Sequence, residues 1–92
     1  METYLMLGKY TVEAFQDISK NRTEKAKDLF ASLGGEIESM YALLGDRDLY
    51  IIARFPNMQK AIKASIELGK MTKIAFTTSP AVPVEEFDNM FK

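Results

Sequence analysis

Between Tyr4 and Tyr10 the chain carries Tyr, Leu and Met residues with no helical period, and Thr11 stands after them as an N-cap. A first strand and a helix start are predicted there. From Val12 the stripe positions recur every third or fourth residue: Val12, Phe15, Ile18, then Arg22, Ala26, Leu29, Phe30 and Leu33, one face of a helix. The polar run Ser19-Lys20-Asn21-Arg22 interrupts that face. Asn21 with Glu24 three places on has the form of a capping box, which predicts a bend or short break near Asn21. Gly34-Gly35 ends the helix, because a glycine just past the last apolar position takes the left-handed conformation without a Cβ penalty.

Glu36 to Leu44 reads as a second strand, Gly45-Asp46-Arg47 as a hairpin turn, and Asp48 to Phe55 as a third strand ended by Pro56. Asn57 caps a second helix with Met58, Ala61, Ile62, Ser65 and Ile66 on one face, and Gly69 closes it. Thr72 to Ser79, β-branched and aromatic, is a fourth strand. The order strand, helix, strand, strand, helix, strand predicts an α+β fold of the ferredoxin-like βαββαβ kind. It has a four-stranded antiparallel sheet with both helices on one face. Pro80 and Pro83 mark the end of regular pairing, since neither donates to a ladder. Residues 80–92 form a tail with Val84, Phe87 and Phe91 at helical spacing and Glu85 and Glu86 in the first turn. Three large apolar groups predict that this tail docks, on its own subunit or on a neighbour.

The third strand is apolar at Leu49, Ile51, Ala53 and Phe55 and again at Tyr50 and Ile52. A strand apolar on both sides expects cover on both sides. Two helices cover one face only, so the other is left for a second copy of the chain, as a homodimer or a higher homo-oligomer. The 92 residues form one domain that buries about 65% of the surface its unfolded chain exposes, a modest core that association would enlarge.

Composition removes several kinds of chemistry. The chain has no cysteine, hence no disulfide or thiolate nucleophile, and no histidine, the commonest metal ligand, general base and axial haem ligand. Familiar catalytic triads are excluded, and no cofactor or metal is expected. Twelve basic against thirteen acidic residues, without a block of either sign, argue against nucleic acid and anionic membrane as partners. Residues Arg47 to Phe55 superficially suggest an RNA-binding strand but lack its glycine and central aromatic pair. The opening Met1-Glu2-Thr3-Tyr4 is not a signal peptide, and a cytoplasmic protein is expected. The six methionines are scattered and read as core filler.

Lys9-Tyr10-Thr11, Leu33-Gly34-Gly35, Leu44-Gly45 with Asp48, and Pro80-Ala81-Val82-Pro83 leading to Glu86-Phe87 together resemble the bacterial GYD-domain proteins. The likeness covers nearly the whole chain. At the hairpin signature the glycine is Gly45 and the acid Asp48, while the tyrosine position holds Arg47. The resemblance implies ferredoxin-like subunits pairing sheet to sheet as a dimeric α/β-barrel, and it supplies no activity.

Read from its own chemistry, the hairpin uses Gly45 for a positive φ and Asp46 or Asp48 to accept backbone N–H groups, with Arg47 a solvated charge. The functional alternative puts Arg47 and Asp48 at the mouth of a pocket between sheet and helices, the guanidinium orienting a carboxylate or carbonyl. Tyr41, Tyr50 and Arg54 form a second group. Tyr50 and Arg54 share a face of the third strand, and Tyr41 lies across the hairpin. They suit either a small aromatic ligand or a sheet-to-sheet interface, where Tyr and Arg are enriched and Arg54 pairs with Glu36 or Glu38. Lys9, a conceivable Schiff-base lysine, has no acid identifiable beside it in the sequence. The function expected is therefore a homo-oligomeric small domain with a small apolar or aromatic ligand between sheet and helices. The alternative is a cofactor-free oxygenase- or isomerase-like enzyme on a small aromatic or enolisable substrate, with Tyr41 and Tyr50 as proton donors, Arg54 stabilising an anion and Asp48 as base.

Overall fold

In the computed structural model, which describes all 92 residues, the chain forms four strands and four helices. They are β1 (Glu2–Tyr10), α1 (Val12–Gln16), α2 (Lys20–Ser32), β2 (Glu36–Ala42), β3 (Leu49–Phe55), α3 (Met58–Thr72), β4 (Ile74–Pro80) and α4 (Val84–Asn89). The strands make one antiparallel sheet in the order β2-β3-β1-β4, so the two central strands are β3 and β1. This is the ferredoxin-like arrangement expected. Helices α2 and α3 lie against one face, and with overall dimensions of 48 × 30 × 18 Å the molecule is two layers thick.

Alternation along the strands decides what the helices cover. Tyr4, Met6, Ile51, Ala53 and Phe55 point to the helices and join Ala26, Phe30, Leu33, Ala61, Ala64 and Leu68 in one core. Phe55 is fully buried, and Gly35 makes room for it: a Cβ there would stand 2.6 Å from the Phe55 ring. Gly34 terminates α2 at φ 75° as expected, with the Gly35 N–H returning to the Phe30 carbonyl at 2.9 Å.

Several local expectations need correction. The break in the first helix falls at Asp17–Ser19, not at Asn21. Ser19 takes the extended cap conformation and its hydroxyl accepts the Arg22 N–H, leaving Asn21 inside α2. That break swings α1 aside, so Val12, Phe15 and Ile18 are exposed and only Ala14 of that helix is buried. Helix α3 runs past Gly69 to Thr72 and ends at Lys73, whose φ of 61° is left-handed. Gly69 instead allows close approach, since a Cβ would meet the Ile74 carbonyl oxygen at 3.3 Å. The buried face of α3 is Ala61, Ala64, Leu68 and Thr72, while Met58, Ile62 and Ile66 are exposed. Small alanines let this helix sit down on the sheet, and the larger residues beside them remain outside. Strand β2 stops at Ala42 rather than Leu44. Strand β4 continues through Pro80, tolerable because β4 is an edge strand. Of the methionines only Met6 is fully buried, and Met1, Met58, Met71 and Met90 are exposed. Helix α4 forms where the tail spacing predicts it but buries no residue, while the start of the tail is tied to β1 by the Ala81 N–H on the Thr3 carbonyl at 2.9 Å.

Candidate functional site

The face of the sheet away from the helices carries the other half of each strand's alternation. Register places Leu5 opposite Ile52 and Leu7 opposite Tyr50 on the two central strands, with Tyr41 of β2 opposite Tyr50. On the other side Leu7 faces Thr77 and Leu5 faces Ser79 of β4. The result is a continuous patch of Leu5, Leu7, Tyr50 and Ile52, all half-buried, bordered by Tyr41 and by hydroxyls. The Tyr41 and Tyr50 rings lie 6.0 Å apart in a tilted pair.

Arg54 stands at one end of this patch. A bulge between Ile37 and Ser39 turns Glu38 toward it, and the guanidinium approaches Glu38 Oε1 at 3.9 Å within the same chain. With the pair substantially exposed, it contributes little to stability. The Nε–H of Arg54 is buried and has no acceptor, an orphan donor on the rim of the patch. Arg47 stands at the opposite end. Its guanidinium reaches past β1 to Thr77 Oγ1 at 3.4 Å, which lays it over the same open face.

Asp48 is not at a pocket mouth. Its carboxylate is buried and accepts the Tyr10 N–H at 2.8 Å, with Lys9 Nζ 3.6 Å away. The Asp48 N–H donates to the Gly8 carbonyl, and its own carbonyl accepts from Leu43 N–H, both at 2.8 Å. Through three backbone groups and one ion pair Asp48 ties the 43–48 loop to the end of β1. That is the turn chemistry its residue type suggests, carried to a distant strand rather than kept local. Gly45 does not use a positive φ and a Cβ there would meet nothing within 4 Å, so its expected conformational role is absent. Lys9 does have an acid beside it, but at half exposure it is a solvated cation paired with Asp48.

Tyr41, Arg47, Tyr50 and Arg54 are thus gathered on one surface, and Asp48 is held apart from it by its backbone bonds. None of the five lines a concavity of the molecule. The space between sheet and helices holds a cleft of about 50 Å³, lined chiefly by apolar residues such as Leu49, Ile51, Leu68 and Phe76, with Tyr10 and Arg22 at its edge. Arg22 is occupied there: it donates to the Ala14 carbonyl at 2.6 Å and its charge sits 5.3 Å from the centre of the Tyr10 ring. The pocket mouth expected for Arg47 and Asp48 between sheet and helices is therefore not what the geometry provides, and Tyr41, Tyr50 and Arg54 do not line this cleft either. Leu5, Leu7 and Ile52, which sequence reasoning did not name as site residues, form the centre of the surface. The signal was present: β1 is apolar on both sides, as β3 is.

No group of three acidic, histidine or cysteine side chains is placed to hold a metal ion, and no helix is long and apolar enough to cross a membrane. No curated protein matches the chain. Among solved structures, the Mycobacterium tuberculosis leucine response regulatory protein LrpA is similar in fold, with a TM-score of 0.58 at 8% identity over 89% of this chain. The match takes in 51% of the regulator, so this chain spans about half its length. The family model of the GYD domain matches residues 4–91, and the chain belongs to the GYD-domain family.

Proposed function

We propose that the chain acts as a self-associating module in which two copies pair through the open faces of their sheets. One observation carries this reading: helices cover only one face, while Leu5, Leu7, Tyr50 and Ile52 make a contiguous apolar surface on the other. Contiguous exposed apolar patches mark association surfaces. The rim has the chemistry of an interface, with Tyr41, Arg47 and the orphan Nε–H of Arg54 bordering an apolar centre. The cleft beside Leu49, Ile51 and Phe76 does not suit a ligand, since the engineered cavity that takes up benzene has about 150 Å³, three times the 50 Å³ of this cleft.

The experiment is sedimentation velocity of the wild-type chain and of Ile52→Asp, accompanied by native mass spectrometry. A wild-type dimer that becomes a folded monomer in the variant supports the reading. A wild-type monomer at micromolar concentration would refute it. A co-purifying small molecule released only on dissociation of the dimer would place a ligand between the sheets.

A further inference from the structure

Two apolar surfaces of the chain are left open. One is a groove of about 790 Å³ beside α3, lined by Met58 and Ile62 and, from the tail, by Pro83 and Glu86. The other is the open sheet face, and its two halves differ in chemistry. Register sets Tyr41, Tyr50, Leu7 and Thr77 in one row across the four strands, and Ser39, Ile52, Leu5 and Ser79 in the next. The apolar centre therefore straddles the boundary between β3 and β1. On the β2 side of it stands the Tyr41 ring, 62% exposed. On the β4 side stand Thr77, Ser79 and the Arg47 guanidinium, which reaches Thr77 Oγ1 at 3.4 Å.

The cations of this face are not equally provided for. Lys9 has Asp48 at 3.6 Å, and Arg54 has Glu38 at 3.9 Å with Glu36 opposite it in the register. Arg47 makes no ion pair. Two copies that pair through the centre of this face with their strands aligned have two choices of two-fold axis. An axis across the strands lays β4 on β4. It brings the two Arg47 guanidinium groups side by side above Thr77 and Ser79, and like charges set together oppose an interface. An axis along the strands lays β2 of each copy on β4 of the other. The two arginines then lie at opposite edges, each over the exposed Tyr41 ring of the second copy, whose face attracts a guanidinium.

We infer, resting on the sheet pairing proposed above, that the two-fold axis runs along the strands and that Arg47 of each copy seats on Tyr41 of the other. The aromatic edge of one sheet thereby meets the cationic, hydroxyl-bearing edge of its mate.

The chain contains no cysteine, and Ser39 and Ser79 stand at one level of the register on the two edge strands. Facing sheets lie about 10 Å apart and neighbouring strands about 4.8 Å apart. With the axis along the strands, position 39 of one copy therefore faces position 79 of the other, while like positions are displaced sideways by about 14 Å, three strand spacings. Ser39→Cys and Ser79→Cys single variants are co-expressed, one carrying a mass tag, examined by sedimentation velocity and treated with a short bismaleimide. The mixed product is expected to predominate over both like-with-like products. Dimers that yield chiefly like-with-like products, or none, overturn the axis and leave sheet pairing standing. Monomers in sedimentation refute sheet pairing itself, and this contact with it. Dimer affinity, read by dilution, gives a second test. Arg47→Gln removes two cation–ring contacts per dimer and should raise Kd about tenfold. Tyr41→Leu should weaken the dimer less in the Arg47→Gln background than in the wild type. An Arg47→Gln dimer as tight as wild type or tighter overturns the contact, as does an equal effect of Tyr41→Leu in both backgrounds.

Discussion

Asp48 shows how one carboxylate can organise a loop. Replacing it with Ala leaves the part-buried Tyr10 N–H without its acceptor, a loss of about 1 kcal/mol. Asn retains an acceptor oxygen and forfeits only the ion pair with half-exposed Lys9, which is worth little. Urea unfolding of the two variants should therefore rank Asp48→Ala well below Asp48→Asn, with Asn close to wild type. Were the charge itself essential, the two would fall together. Tyr4 offers a second test at this scale. Its phenol donates to Glu2, and that hydrogen bond, burial and the negative charge of Glu2 all hold it above its ordinary value. A raised folded value means that the unfolded chain gives up this proton first. The contribution of Tyr4 is therefore complete below about pH 10, the unfolded value, and is lost as pH rises through the folded value. The chain has four tyrosines and no tryptophan, so tyrosinate absorbance can be followed cleanly. A tyrosinate step above the ordinary phenol range should appear in the wild-type chain, with stability declining from about pH 10 towards it, and that step should vanish in Tyr4→Phe.

Elements were legible where the local signal and the global arrangement agree. Thr11, Gly34 and Asn57 cap or end helices as their types suggest, because capping depends on atoms only a few residues away. Errors fell where two neighbouring residues could do the same work. Ser19 and Asn21 are both good caps, and the backbone used Ser19 because the break there lets Arg22 fold back on Ala14 and Tyr10. Gly69 and Lys73 competed for the end of α3, and the lysine took the left-handed position with its N–H on the Gly69 carbonyl at 2.9 Å. A side chain in that conformation costs about 1–2 kcal/mol. Lys73→Gly should recover part of this, a net gain of about 0.5–1 kcal/mol after the added freedom of the unfolded glycine. Thermal unfolding checks it, and a lowered midpoint would mean that Lys73 holds contacts worth more than its strain.

At the scale of the whole molecule the central fact is two layers with two apolar surfaces left over. A chain stabilised by association has an unfolding midpoint that climbs with protein concentration. The wild-type chain should show that climb, and Ile52→Asp should show a flatter dependence with a folded baseline retained. A dependence equal in both would remove the sheet face from the account. The groove beside α3 was less legible than the sheet face for a physical reason. A strand's side chains alternate strictly between two faces, so two-sided apolarity reads as a missing partner in the sequence itself. A helix has an apolar arc wider than the sheet can cover, and which edge of that arc stays outside depends on how the helix is rotated.

That distinction separates what the chain determines alone from what its folding decides. Alternation, capping residues and the order of elements determined the strand–helix sequence, the antiparallel sheet and a surplus of apolar surface, because each follows from periodicities and bonds local to a few residues. Only the tertiary structure decided that Asp48 serves the β1 end rather than a pocket, that α3 turns its alanines inward and its isoleucines outward, and that the tail forms one wall of an open groove beside α3. These outcomes depend on which distant groups arrive at the same place. Distance in space, unlike spacing along the chain, is settled by packing.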